Sequence, residues 1–100
     1  MNVHHCDRHL ERLEFTPGFT EGFSPDVVKA FRKRMAVIRG AKDERDFPNL
    51  KSIGFEKLKG GRQHQYSMKL AGAMRLILEF DRSGSDVVVR VVEIENYHRS

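Results

Sequence analysis

Between residues 51 and 75 lie six cationic side chains, Lys51, Lys57, Lys59, Arg62, Lys69 and Arg75, opposed there by the single acid Glu56. A block of this kind attracts a polyanion, although charge alone establishes only non-specific attraction and a solvated basic surface carries the same signature. A second set of chemically capable residues follows a valine-rich run, where IENYHRS brings Asn96, Tyr97 and His98 together. The ordinary pKa of histidine, about 6.5, suits His98 to giving or taking a proton near neutrality. Cations to hold a phosphate and a titratable group to move a proton are therefore both present.

Which elements would bring them together is partly written in the periodicity. Asp7 is placed to cap a short helix carrying Leu10 and Leu13, after a short polar stretch at Asn2 to Cys6 that reads as a further strand. Thr16 to Phe23, with Pro17, Gly18 and Gly22, reads as a loop. Ser24 and Pro25 then open the clearest helix, in which Val28, Phe31, Met35 and Ile38 recur at three- and four-residue steps and Asp26 complements the dipole. Lys29, Arg32, Lys33 and Arg39 fall on its opposite arc, read as a solvated face. Gly40 and the polar run AKDERDFPNL end that helix, with room for one more short turn, and Pro48 closes the helical half.

After Pro48 the period changes to two. Tyr66, Met68 and Leu70 alternate with Ser67 and Lys69. Beyond the turn Ala71-Gly72-Ala73, Met74, Leu76 and Leu78 alternate with Arg75, Ile77 and Glu79, giving an antiparallel hairpin. DRSGSD is a second turn, and Val87 to Ile94, apolar at nearly every position, has the pattern of a central strand or one covered on both sides. Phe55 to Lys59 offers one more strand. The expected fold class is α+β, with two N-terminal helices packed on one face of a twisted antiparallel sheet of three to four strands. The other face is left for function. There, alternation makes Lys69 and Arg75 neighbours across the hairpin, a like-charge pair that an anion between them would relieve. The glycine turn Gly60-Gly61, flanked by Lys59 and Arg62, lies beside them in sequence.

At 100 residues with 39% apolar side chains, the chain reads as a single domain spanning residues 1–100. Its one cysteine, Cys6, excludes an intrachain disulfide framework. No long apolar run marks a secretion signal or a membrane span, so a cytoplasmic protein is expected. His4, His5, Cys6 and His9 complete no standard zinc spacing; they read as surface histidines, and neither a metal nor any other cofactor is expected. His64, in the basic turn region, is also expected to be exposed.

The run FEKLKGGRQHQYSMKLAGAMRLILEF, followed by a turn, a valine-rich strand and ENYH, resembles the HigB branch of the RelE/ParE toxin superfamily. That family shows a Leu-Lys-Gly turn with a nearby Arg, an aromatic-Ser strand, a strand with a Trp-Arg-Ile motif and a final Asp-Tyr-His. The resemblance is strongest from Phe55 to His98, and the two preceding helices fit it. It implies a RelE-like, microbial-RNase-like fold and a toxin of a type II toxin-antitoxin system. Such a toxin cleaves messenger RNA in the ribosomal A site without a metal. It acts as a monomer and is held inactive in a heterocomplex with a DNA-binding, HigA-like antitoxin. Position by position, Lys59 matches the turn Lys, Arg62 the Arg after it, Arg75 the third-strand Arg, Ser67 the strand Ser, and Tyr97 and His98 the terminal pair. Asn96 stands where the family commonly has Asp, and Met74 and Tyr66 stand in place of common tryptophans.

Metal-free RNA cleavage needs three things: a proton acceptor for the attacking 2′-hydroxyl, stabilisation of charge on the phosphate, and a proton for the leaving 5′-oxygen. The resemblance implies Lys59 and Arg75 as charge stabilisers, His98 as proton carrier and Tyr97 as its neighbour in the catalytic set. Arg62, Lys57, Lys69 and Asn96 are the expected phosphate and RNA contacts. Tyr97 has two open readings: an RNA contact, by stacking on a base or hydrogen-bonding a phosphate, and a core position, since its parity along the strand is opposite to that of His98. Two other functions also stay open: gyrase poisoning, as in the non-nuclease arm of the superfamily, and RNA binding without cleavage, which the loss of the carboxylate at Asn96 allows.

Overall fold

Asp7 and Ser24 start the helices as their positions require. The Asp7 carboxylate accepts a hydrogen bond from the His9 amide at 2.8 Å, and the Ser24 hydroxyl accepts one from the Val27 amide at 3.3 Å. The computed structural model describes residues 1–62 and 64–96, with Lys51 through its backbone alone. Along these the elements are β1 (Asn2–His5), α1 (Arg8–Phe15), α2 (Pro25–Gly40), two short 3-10 turns (Glu44–Asn49 and Lys51–Ile53), β2 (Glu56–Lys57), β3 (Gln65–Lys69), β4 (Met74–Asp81) and β5 (Val88–Asn96). Pro48 lies inside the first 3-10 turn and does not end it.

The chain is a small α+β domain, and its sheet is larger than expected. Five strands run in the order β1-β5-β4-β3-β2. The sheet is also mixed, because β1 pairs in parallel with β5 from Asn2↔Val88 to His5↔Val91, while the other pairings are antiparallel. A fully antiparallel sheet of three to four strands is thereby corrected. The reason lies in β5: without β1 it would be an edge strand, presenting a long row of unpaired backbone groups. Its apolar composition correctly marks it as interior to the sheet, but it is covered on one face only.

That face carries the core. Leu10, Leu13, Val28, Phe31, Met35 and Ile38 from the helices pack against Met68, Leu76, Leu78, Val89 and Val91 from the sheet. An aromatic cluster closes one end, with Tyr66 stacked on Phe55 at 5.3 Å and Phe80 set edge-on to Phe47 at 5.2 Å. Where the family resembled above carries tryptophan, Tyr66 thus has a packing role. Two arginines on the outer arc of α2 are structural. Arg32 donates to the carbonyls of Leu13 and Thr16 at 2.9 and 3.1 Å, satisfying the C-terminal end of α1. Arg39 pairs with Glu14. Another α2 arginine, Arg34, donates to the Lys69 carbonyl at 3.0 Å and so fixes the end of β3.

Strand β5 does not alternate uniformly. Its register against β4 runs Arg75↔Glu95, Leu76↔Ile94 and Ile77↔Glu93, then jumps to Leu78↔Val91, so Val92 is an extra residue. A bulge of this kind shifts the side-chain phase by one. Val89 and Val91 point to the core before it and Ile94 after it, while Glu93 and Glu95 are delivered to the open face. In an unbroken strand, both carboxylates would share the face of Val91.

Deleting Val92 makes Val91 and Glu93 consecutive opposite Leu78 and Ile77, so the strand becomes regular with Ile94 still on the core face and Glu93 and Glu95 still on the open face. An unbroken strand that keeps Val92 instead forces each carboxylate inside at a cost of several kcal/mol, against a total stability of about 5–15 kcal/mol for such a domain. The deletion variant is therefore expected to keep a cooperative thermal transition by circular dichroism, and loss of that transition would contradict the role given to the bulge.

Candidate functional site

On the helix-free face, alternation from β3 and β4 presents Lys69 opposite Arg75, Ser67 opposite Ile77 and Gln65 opposite Glu79. Ser67 and Ile77 are buried there although they lie outside the main core, and they form the floor of the face. Burial fits the structural reading of Ser67. Lys69 and Arg75 are the direct cross-strand neighbours that the hairpin alternation predicts. The Lys69 stem runs across Gly54, where a β-carbon would lie 2.6 Å from its Cγ; Gly54 also has a φ of +70°. A side chain at this position is excluded twice, by space and by conformation.

The turn between β2 and β3 delivers the next residues. Gly60 and Gly61 both take positive φ, 69° and 85°, which allows the chain to reverse directly after Lys59. Arg62 then folds back over the sheet, donating through Nε to Gln65 Oε1 at 2.9 Å and through one terminal nitrogen to Glu95 Oε1 at 3.0 Å. Arg75 donates from Nε to the other oxygen of the same carboxylate, Glu95 Oε2, at 2.8 Å. A terminal nitrogen of Arg75 lies 2.6 Å from that oxygen. The network continues from Gln65 Nε2 to Glu79 Oε2 at 2.8 Å, with His64 exposed beside it and 3.5 Å from the same oxygen.

A cleft of about 340 Å³ opens next to this network, lined by Glu56, Lys57, Leu58, Lys59, Arg62 and Arg75. A smaller cavity of about 40 Å³, lined by Gly54, Glu56, Ser67, Lys69 and Arg75, adjoins it through the shared Glu56 and Arg75. Lys57, Lys59, Arg62, Lys69 and Arg75, scattered through residues 57 to 75, therefore converge on one region. Asn96 ends β5 opposite Met74, so its strand phase is that of the core face. Tyr97 and His98 lie outside the described residues. A groove of about 540 Å³ lies elsewhere, along α2 between Phe19 and Lys33, and its walls are predominantly apolar.

Sequence reasoning missed two carboxylates here. Glu95 is the centre of the arginine pair. Burial works against its charge, but the hydrogen bonds from Arg75 and Arg62 outweigh that and hold its carboxyl below the usual range. Glu56 lines both cavities, and among the described residues its carboxylate makes no ion pair. The signal for Glu56 was its place beside Lys57 and Lys59; for Glu95 it was the doublet Val91-Val92, which marks the change of phase.

The amino-terminal histidines resolve differently from one another. His4 and His9 are exposed, and His9 sits 2.8 Å from Glu21. His5 is not a surface residue: its side chain is 5% exposed, with Nε2 2.8 Å from Glu14 Oε1. Glu14 is also bound by Arg39 through both oxygens, at 2.7 and 2.9 Å. Burial opposes the charge on Glu14, and the Arg39 and His5 hydrogen bonds overcome it and lower its pKa. Among the described residues no cluster of His, Cys, Asp and Glu has the arrangement of a metal centre. Among the described residues, no helix is long and apolar enough to cross a membrane.

No protein-family model matches this chain, and no curated protein shows significant similarity to it.

Two measurements probe this geometry. Glu14 and Glu95 have folded pKa values below their unfolded ones, so the stability they contribute is present above the ordinary carboxylate pKa of about 4.3 and is lost as pH falls through the lower folded values. Urea midpoints should hold on the neutral side and decline below about pH 4.3, and Glu95→Gln should make the decline shallower; parallel curves for variant and wild type would count against the depressed Glu95 carboxyl. Gly54→Ala should lower unfolding stability by about 1–3 kcal/mol, the cost of a non-glycine residue at positive φ with its neighbour displaced. An unchanged urea midpoint would show that Lys69 moves aside freely.

Proposed function

We propose that this chain is a HigB-type toxin of the RelE/ParE superfamily, a ribosome-dependent endonuclease that cuts messenger RNA and so inhibits translation. The observation that carries the reading is the shared cleft of Lys59, Arg62 and Arg75 on the face the helices leave open. Three cations around one opening suit a phosphate that gains negative charge during reaction. Lys59 and Arg75 stabilise that charge, and Arg62 orients the backbone through its link to Gln65. His98 gives or takes the proton, with Tyr97 as its neighbour in the catalytic set. Glu56, in the same cleft and without an ion pair among the described residues, is a second group able to accept the proton of the 2′-hydroxyl. Attack of that hydroxyl breaks the bond to the 5′-oxygen and leaves a cyclic phosphate. Lys57 and Lys69 contact the flanking RNA; Asn96, in the strand phase of the core face, does not share that side. A cognate DNA-binding antitoxin, HigA-like, holds the monomeric toxin inactive in the cytoplasm.

RNA binding without cleavage is the second reading. It is favoured by the engagement of both guanidiniums with Glu95, an arrangement that binds and positions without requiring a proton carrier.

Induced expression should arrest translation and generate mRNA ends within ribosome-occupied codons. Arg75→Ala and His98→Ala should each relieve the growth arrest, with cleavage reduced roughly 10²- to 10⁴-fold for the loss of the proton carrier and about 10²- to 10³-fold for the loss of one charge stabiliser. Undiminished cleavage in both variants would sink the site assignment. Arrest with uncut mRNA would select the binding reading instead. Association with RNA should weaken steeply with added salt.

A further inference from the structure

The phosphate site is already occupied by an anion of the chain's own. Glu95 places one carboxylate oxygen on Arg62 at 3.0 Å and the other on Arg75 at 2.8 and 2.6 Å. A carboxylate and a phosphate both present paired oxygens to guanidinium donors, so they compete for the same nitrogens. All three side chains are partly shielded from solvent, Glu95 being 24% and Arg75 20% exposed, which strengthens their interaction relative to a fully solvated pair. We infer that Glu95 is a built-in competitor for the phosphate place between Arg62 and Arg75, which makes the cleft discriminate against isolated phosphate and in favour of a nucleic-acid backbone.

The discrimination follows from what each ligand exchanges. An isolated phosphate must displace Glu95 from two arginines and receives those arginines and Lys59 in return, an exchange that also leaves a carboxylate close to the incoming anion. A backbone brings further phosphates to Lys57 and Lys69, whose side chains make no ion pair among the described residues. Each additional contact releases counterions, and this supplies the difference. Glu95 thus acts as a specificity-determining residue, returning to the arginines when the chain leaves. The inference rests on the nucleic-acid reading above for its preferred ligand, but not on cleavage.

The test compares inorganic phosphate with a short single-stranded oligodeoxynucleotide, which lacks the 2′-hydroxyl and is not cut, in calorimetric titrations at low salt. Wild-type protein should bind the oligonucleotide and take up phosphate only weakly. Glu95→Gln, which removes the charge and keeps the shape, should bind phosphate about tenfold more tightly or better, the order expected for one nearby charge in a partly shielded site. The preference for the oligonucleotide should shrink accordingly. Phosphate affinity unchanged or reduced in a folded Glu95→Gln variant overturns the inference and makes Glu95 a holder of the two guanidiniums. Should that variant fail to fold by circular dichroism, the wild-type protein decides: the oligonucleotide must shift the Glu95 carboxyl carbon resonance and the Nε–H signals of Arg62 and Arg75, and binding that leaves all three unmoved overturns the inference. A wild-type protein that cuts no RNA in translation assays removes the nuclease reading and leaves the phosphate comparison standing on its own.

Discussion

In β5 the doublet Val91-Val92 interrupts the alternation of the strand, and from that slip follows which side of the sheet receives Glu93 and Glu95. The core needs apolar side chains opposite Leu76 and Leu78, and it obtains them from Ile94 and Val91, which are three residues apart and could not share a face in an unbroken strand. The extra residue satisfies both demands, apolar groups beneath the helices and carboxylates on the open side. It also sets Glu95 directly across from Arg75, within reach of Arg62 from the glycine turn. The packing of one face and the electrostatics of the other are therefore a single constraint. With Val92 kept in an unbroken alternation, Ile94 would leave the core and both carboxylates would enter it.

Once Glu95 is there, two guanidiniums can be held close together on a partly shielded surface. Like charges in such a place repel, and a shared carboxylate with both oxygens engaged removes most of that cost while leaving the triad one positive charge. The link through Gln65 to Glu79 then fixes Arg62 against the sheet, so the turn that carries it is anchored despite its two glycines in the left-handed region. His5, Glu14 and Arg39 repeat the principle at the junction of β1, α1 and α2, where one carboxylate ties a histidine and an arginine from separate elements. The difference lies in surroundings: Glu14 is nearly enclosed between helices, whereas Glu95 borders a cleft open to a ligand.

Local signals carried most of the fold. Asp7, Ser24 and Pro25 mark helix starts through groups within a few residues of themselves, and the alternation through Tyr66 to Leu78 sets the hairpin and the Lys69–Arg75 pairing without distant information. What escaped depends on partners far away in the chain. The parallel pairing of β1 with β5 joins residues more than 80 positions apart, and nothing in Asn2 to His5 names its neighbour. His5 reads as a surface residue until Glu14 and Phe15 are seen to cover it, and Arg32 reads as solvated until the end of α1 presents carbonyls to it. Glu95 escaped because an apolar run conceals a phase change. Of the expected site, Lys59, Arg62 and Arg75 line one cleft, a convergence that the sequence alone did not establish, and the carboxylate that organises two of them was not foreseen.

A net charge of +4 understates how the cations are divided. Many arginines are committed within the fold: Arg32 and Arg34 to backbone carbonyls, Arg39 to Glu14, Arg45 to Asp43 and Arg82 to Glu44. The planar fork of a guanidinium suits such fixed geometries, and the hydrated ammonium on its flexible stem does not. Lysines are accordingly left to the surface, and Lys57, Lys59 and Lys69 are exposed around the cleft. The open face thus pairs two unlike kinds of positive charge. Under the nucleic-acid reading proposed above, arginines locked to Glu95 and Gln65 define where an anion sits, and lysines at the rim supply attraction that adapts to the chain of anions. A face built of lysines alone would attract a polyanion without registering it, and the arginine pair alone would register one that it already holds an anion against.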